Sequence, residues 1–231
     1  MKRFFAIAVV VCLAVSGWAK ELPKQGLGIQ IGWAQPELRL NSTTSKDTLH
    51  TTKLNGFKVG VVYDASIVKG FGTSIGLNYT FGAASTKWAK KNTSYSQRSQ
   101  ILYNELELFV DWQYKFEVAK ETYLILYTGP SIQCGIGWDK KEYERNEMTG
   151  AFTMAESNRY TTSNDDEVLK RINVTWGVGA GFQYKRYFLR GGYDFGLIVP
   201  YKYSDFTNGN HTRGRLDQWA IKVGVYLWYP D

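Results

Sequence analysis

The sequence predicts an all-β chain: an eight-stranded antiparallel up-and-down transmembrane β-barrel, with short turns at one end and long loops at the other. Three observations predict it. Apolar residues recur with period two in eight successive segments, not with the period of a helix. The segments run roughly 10 to 14 residues, longer than an ordinary soluble strand and long enough for the about 9 to 11 that a tilted membrane strand needs. The connections alternate between tight and long.

The elements follow in chain order. Residues 1–19 carry Lys2 and Arg3, an apolar run from Phe4 to Val15, and Gly17-Trp18-Ala19, with small residues where a signal peptidase reads. This is a secretory signal peptide, too short for a membrane span, and it leaves 20–231 as one mature domain. No lipid-acceptor cysteine follows the run. The first strand opens with Leu27, Ile29, Ile31 and Trp33 against Gly28, Gln30, Gly32 and Ala34. Pro36 then interrupts it, and the changed parity of Leu38 and Leu40 predicts a bulge.

In the second strand Phe57, Val59, Val61 and Tyr63 oppose Lys58, Gly60, Val62 and Asp64. The third sets Phe71, Thr73, Ile75, Leu77, Tyr79 and Phe81 against Gly72, Ser74, Gly76, Asn78 and Thr80. The fourth, 105–116, has Leu106, Leu108, Val110, Trp112, Tyr114 and Phe116 on one face, and only Phe109 breaks the polar alternation on the other. The fifth, near 122–138, is less regular, with an expected outer set of Leu124, Leu126, Thr128, Ile132, Ile136 and Trp138. Strands over 172–185, 188–197 and 218–229 complete the set. Tight joints fall near Ile67–Gly70, Glu117–Glu121 and Lys185–Tyr187, whereas about 41–53, 83–100, 139–170 and 202–214 are long and polar. The 139–170 segment is expected to extend the fifth and sixth strands as a protruding ribbon.

Composition agrees. The chain has 231 residues, 16% of them aromatic, with 23 glycines and a formal charge of +7 that falls to +5 when Lys2 and Arg3 leave with the signal. So many aromatic residues exclude disorder over most of the length. A mean hydropathy of −0.32 excludes a bundle of helical spans. Cys134 is the only cysteine of the mature chain, so no intramolecular disulfide scaffold is possible.

Alternation alone leaves a soluble, ligand-binding secreted β-barrel as an alternative, because such a barrel is apolar inside. Three features favour apolar residues facing out. The polar face carries glycines and charges of both signs, as a narrow filled lumen requires. Aromatic residues sit towards the ends of the apolar faces, as in membrane girdles: Trp33, Trp112, Tyr114, Trp176, Tyr184, Trp219 and Tyr229. The last strand, Trp219 to Tyr229, is apolar or aromatic at every alternate position.

With these features the chain resembles the small outer-membrane β-barrel family of OmpX-like, OmpA-barrel-like and PorT-like proteins over about 27–229. Its terminal strand resembles the family's assembly signal, displaced by Pro230 and Asp231. The resemblance implies a non-enzymatic protein of the Gram-negative cell envelope. It implies a structural, adhesive or secretion-accessory role, with outer-membrane lipids, lipopolysaccharide and the barrel-assembly machinery as partners. A monomer is expected, and no protein partner is legible.

The lumen holds the most specific constellation: Lys58, Glu105, Glu107, Asp111, Arg190, Asp194 and Lys222. Unpaired charge in a dry interior is costly, so these are expected to pair and plug the barrel. A porin-like outline without an open pore follows, because eight strands leave room for little more than side chains. At the rim, Lys87, Lys90 and Lys91 around Trp88, with Arg213 and Arg215, are candidates for lipopolysaccharide phosphates. Nucleic acid is excluded by the compartment. His50 and His211, both in long loops with Ser, Thr and Asp neighbours, carry the alternative of a lipid-modifying enzyme, an acyltransferase or deacylase, but no nucleophile motif accompanies them. No catalytic residue, metal-ligand spacing or cofactor motif is legible. Cys134 falls on the lipid-facing set.

Overall fold

The computed structural model describes residues 25–41, 49–68, 70–85, 87–90, 94–158, 160, 169–198 and 213–229. The signal peptide expected over 1–19 lies outside them. The strands are β1 (Gln25–Asn41), β2 (Leu49–Lys53), β3 (Asn55–Val68), β4 (Phe71–Ser85), β5 (Ala89–Lys90) and β6 (Tyr95–Ala119). They continue as β7 (Thr122–Asn146), β8 (Phe152–Asn158), β9 (Ile172–Tyr184), β10 (Tyr187–Gly196) and β11 (Arg213–Trp228).

Eight of these close into a ring. β1, β3, β4, β6, β7, β9, β10 and β11 each pair antiparallel with the next, and β11 returns to β1 from Leu27↔Trp228 to Asn41↔Arg213. Closure leaves no unpaired edge in the part that crosses the bilayer, the condition for a sheet to exist in lipid. The tight joints all fall at one end of the ring. Two of them put non-glycine residues in the left-handed region, Glu121 at φ 58° and Lys185 at φ 52°, and the third uses Gly70 at φ 85°.

Side chains alternate as a two-residue period requires. Val59, Leu108 and Val223 face outward, 37%, 47% and 48% exposed, while their neighbours Lys58, Glu107 and Lys222 are buried. The apolar surface is therefore on the outside, and the interior is polar.

The structure corrects four expectations. First, β1 carries no bulge at Pro36: its register with β11 is unbroken from Gly28↔Tyr226 to Asn41↔Arg213. Pro36 instead sits where β1 passes from pairing with β3 to pairing with β2, and its carbonyl accepts a hydrogen bond from Leu54 N at 2.9 Å. Leu38 keeps inward parity and is apolar because the outer mouth of the lumen is apolar. Second, Trp138 faces inward. Gly137 opposes Asn104 while Gly135 opposes Glu105, so Ile136 is one extra residue in β7. This bulge reverses the parity above it. Third, Leu227 is a similar extra residue in β11, since Leu27 opposes Trp228 and Gly28 opposes Tyr226. Beyond it Tyr229 turns towards the lumen instead of joining the girdle. Fourth, the ribbon beyond the barrel is built from β6, β7 and β8, pairing Tyr95↔Asn146 and Arg145↔Phe152, and β9 takes no part in it.

Candidate functional site

The lumen is packed in layers. Its floor, at the end with tight turns, is aromatic: Phe188 lies 4.8 Å from Tyr226, which stacks on Tyr229 at 5.1 Å. Gln183 Nε2 donates to the Tyr229 hydroxyl at 2.9 Å.

Above the floor is a charge layer centred on Asp64. Lys115 Nζ donates to its carboxylate at 3.0 Å and Arg190 Nη2 at 2.7 Å, and Tyr226 OH donates to the same oxygen. Arg190 Nη1 also reaches Ser74 Oγ at 2.9 Å, and Lys115 reaches Gln183 Oε1 at 3.0 Å. The Arg190 guanidinium rests 5.1 Å from the Phe188 ring, a cation–π contact with the floor.

A second layer surrounds Glu107. Lys58 Nζ donates to Glu107 and to Gln218, Asn78 Nδ2 donates to Glu107 Oε1 at 3.2 Å, and Gln30 Nε2 donates to Asn78 Oδ1 at 2.7 Å. Lys222 Nζ lies 4.9 Å above the Phe109 ring. That contact accounts for the aromatic residue at an otherwise polar position. Glu107, Asp111, Asp194 and Lys222 line a cavity of about 20 Å³ together with Tyr127 and Ser131. Glu105 accepts a hydrogen bond from Tyr103 OH.

Towards the outer mouth lies a buried apolar cluster, here termed the stopper, of Leu38, Leu54, Tyr103, Trp138, Tyr160, Leu169 and Leu216. Tyr103 and Trp138 meet edge to face at 5.0 Å. Tyr160 and Leu169 come from the connection between β8 and β9, so part of that long loop folds back into the barrel.

All seven lumen charges named from the sequence therefore point inward, in two separate groups. Sequence reasoning left Asp64 and Lys115 out of the set. Their inward parity was legible, but their pairing was not, because it depends on strand tilt. The aromatic floor and the stopper were missed.

On the outside, Trp33, Trp112, Trp176 and Tyr184 are exposed, Tyr114 packs on Phe116 at 4.5 Å, and Trp112 lies 5.8 Å from Trp176. Trp219 is half-buried and donates Nε1 to Gln35 Oε1 at 2.8 Å. Cys134 is exposed on this surface. Lys87 and Lys90 are exposed. Arg215 Nε contacts Asp217 Oδ2 at 3.2 Å. Lys91 and His211 lie outside the described residues, as do the side chains of Arg213 and His50.

A closed antiparallel ring with an apolar, aromatic-girdled exterior and a charged, filled interior defines a transmembrane β-barrel. The chain belongs to the outer membrane protein beta-barrel domain family, whose model matches residues 24–199. That membership assigns it to the bacterial outer membrane. Among solved structures it is similar to Ail, the attachment invasion locus protein of Yersinia pestis, at 10% identity and a TM-score of 0.41, over 87% of this chain and 98% of that one. It is also similar to Neisserial surface protein A, at 12% identity and a TM-score of 0.34, over 86% and 97%. A third similar structure is the N-terminal barrel domain of Pseudomonas aeruginosa OprF, at 10% identity and a TM-score of 0.27, over 85% and 96%. No curated protein matches the chain by sequence.

Proposed function

We propose that this protein is a non-enzymatic surface scaffold: a barrel closed to solutes that holds a stiff ribbon above the outer membrane for adhesive contact. One observation carries the reading. The interior is filled in sequence by aromatic floor, two charge layers and apolar stopper, while β6 and β7, 25 residues each, run well past the girdle. A conducting pore needs a continuous wet path, and direct side-chain contacts span this lumen. The ribbon offers apolar side chains to its surroundings: Phe152 and Met154 on β8 are 56% and 54% exposed, with Trp88 6.3 Å from Phe152. Outer-membrane lipids and lipopolysaccharide surround the barrel, the barrel-assembly machinery inserts it, and the closed ring suits a monomer.

Planar-bilayer recordings test the closed lumen. The full-length protein is expected to give no steady current, and a sustained ohmic conductance would refute closure. Adhesion is tested by attachment of cells displaying the full chain to protein-coated surfaces. Phe152→Ser with Met154→Ser is expected to lower attachment severalfold at equal surface display. Unchanged attachment removes the ribbon from the role.

A further inference from the structure

The outer surface of β1, β2 and β11 changes character row by row. Cross-strand neighbours first form an apolar row, Phe57, Trp33 and Ile221. One pleat further out, Gln35 joins Trp219 at 2.8 Å and Asn55 at 3.0 Å. The next row is fully charged: Lys53 opposes Glu37, which opposes Asp217. In the row beyond that, Arg39 opposes Arg215. In this stretch of β1, β3 and β11 odd-numbered positions face away from the lumen, and Lys53 of β2 is itself exposed, so every one of these side chains is on the outside of the barrel.

The charged rows are built as a unit. Glu37 accepts from Arg39 at 2.7 Å and lies 3.1 Å from Lys53 Nζ. Asp217 Oδ2 is shared by Arg39 Nε at 3.5 Å and Arg215 Nε at 3.2 Å, so the two guanidinium groups lie side by side. Tyr193 OH and Gly196 N also donate to Asp217, at 3.0 and 2.9 Å. The carboxylates are underneath and the cations on top: Glu37 and Asp217 side chains are 7% and 0% exposed, against 34%, 58% and 51% for Arg39, Lys53 and Arg215. Three cations over two carboxylates leave an excess positive charge. The charged row is four residues beyond Trp33, which at strand rise and barrel tilt is about 10 Å along the membrane normal. Arginine and lysine displayed just above an aromatic girdle meet headgroups, not acyl chains.

We infer that Arg39, Lys53 and Arg215 form a binding site for the phosphate monoester of an outer-leaflet glycolipid headgroup, with Glu37 and Asp217 beneath them as counter-charges that temper the attraction. Paired guanidinium groups match phosphate oxygens, and the ammonium adds a mobile point charge. The inference rests on the outer-membrane reading and is independent of whether the lumen conducts.

Native mass spectrometry of the full-length protein in detergent, titrated with diphosphoryl lipid A, tests it. The variant Arg39→Gln/Lys53→Gln/Arg215→Gln is expected to bind at least about tenfold more weakly, since each basic group near an anionic surface contributes measurably. Lys120→Gln/Lys185→Gln, exposed at the end with tight turns, is expected to bind as wild type does. Glu37→Gln/Asp217→Asn keeps the cations and removes their counter-charge, so it is expected to bind more tightly, whereas a ladder that is merely structural would gain nothing. Heat-modifiable gel mobility reports folding, and if the triple variant fails to fold, the carboxylate variant decides alone. Unchanged binding by the triple variant, weaker or unchanged binding by the carboxylate variant, or equal binding of phosphatidylglycerol or inorganic phosphate would overturn the site. A current in bilayers with lipid A binding intact would overturn only the closed lumen.

Discussion

The two charge layers of the lumen solve the same problem differently. Around Asp64, one carboxylate serves Lys115 and Arg190 by direct contact, at 3.0 and 2.7 Å. Around Glu107, the carboxylates of Glu105, Glu107, Asp111 and Asp194 face Lys58 and Lys222. The pair Lys58–Glu107 is direct, but Lys222, Asp111 and Asp194 meet across a cavity of about 20 Å³. One layer is locked with an excess of cations; the other is looser with an excess of anions. A buried charge is costly unless paired and hydrogen-bonded, so the same substitution should have opposite consequences in the two places.

The largest effect is expected from Asp64→Asn. It strands two buried cations, and urea unfolding in lipid vesicles should show a loss of about 3–5 kcal/mol. A loss under about 1 kcal/mol would mean the lower layer is not locked. Gly135→Ala comes next. A Cβ there would overlap the Tyr160 hydroxyl, so the stopper must shift, with an expected cost of about 1–3 kcal/mol in the same measurement. Brief current bursts in bilayers should accompany it. The smallest effect is expected from Asp194→Asn. Removing one of four carboxylates from an anion-rich layer should leave stability within about 1 kcal/mol of wild type, or raise it. A loss comparable to that of Asp64→Asn would erase the distinction between the layers.

What could be read from the sequence depended on parity. From Phe57 to Tyr63, or Leu106 to Phe116, an alternation broken only by the apolar Val62 and Phe109 assigns every side chain to lumen or lipid without a template. Trp138 and Tyr229 were misassigned because each follows an extra residue, Ile136 or Leu227, whose identity carries no mark of a bulge. Leu38 was misread for a different reason. Within the bilayer an apolar residue on a barrel strand faces lipid, but beyond the girdle the lumen itself is apolar and the rule reverses. Asp64 and Lys115 were on the correct face, yet their partnership crosses the lumen between β3 and β6, and the two sit 51 positions apart in the chain. The external acid–base ladder escaped for the same reason: Lys53, Glu37 and Asp217 become one row only once β1 lies between β2 and β11.

The extra residue in β7 has a consequence for how the gene tolerates change. Ile136 is 52% exposed to the bilayer side, and most apolar replacements there should pass unnoticed. Its removal should be tolerated as well, because without it Gly135 would still oppose Glu105, Gly137 would still oppose Asn104, and the Trp138 ring would keep its place in the mouth. Losing a residue from the regularly paired run between Leu124 and Cys134 is another matter, since the side chains beyond the loss would turn to the opposite face. The strand is therefore lenient in counting at one position and strict along the rest of its length.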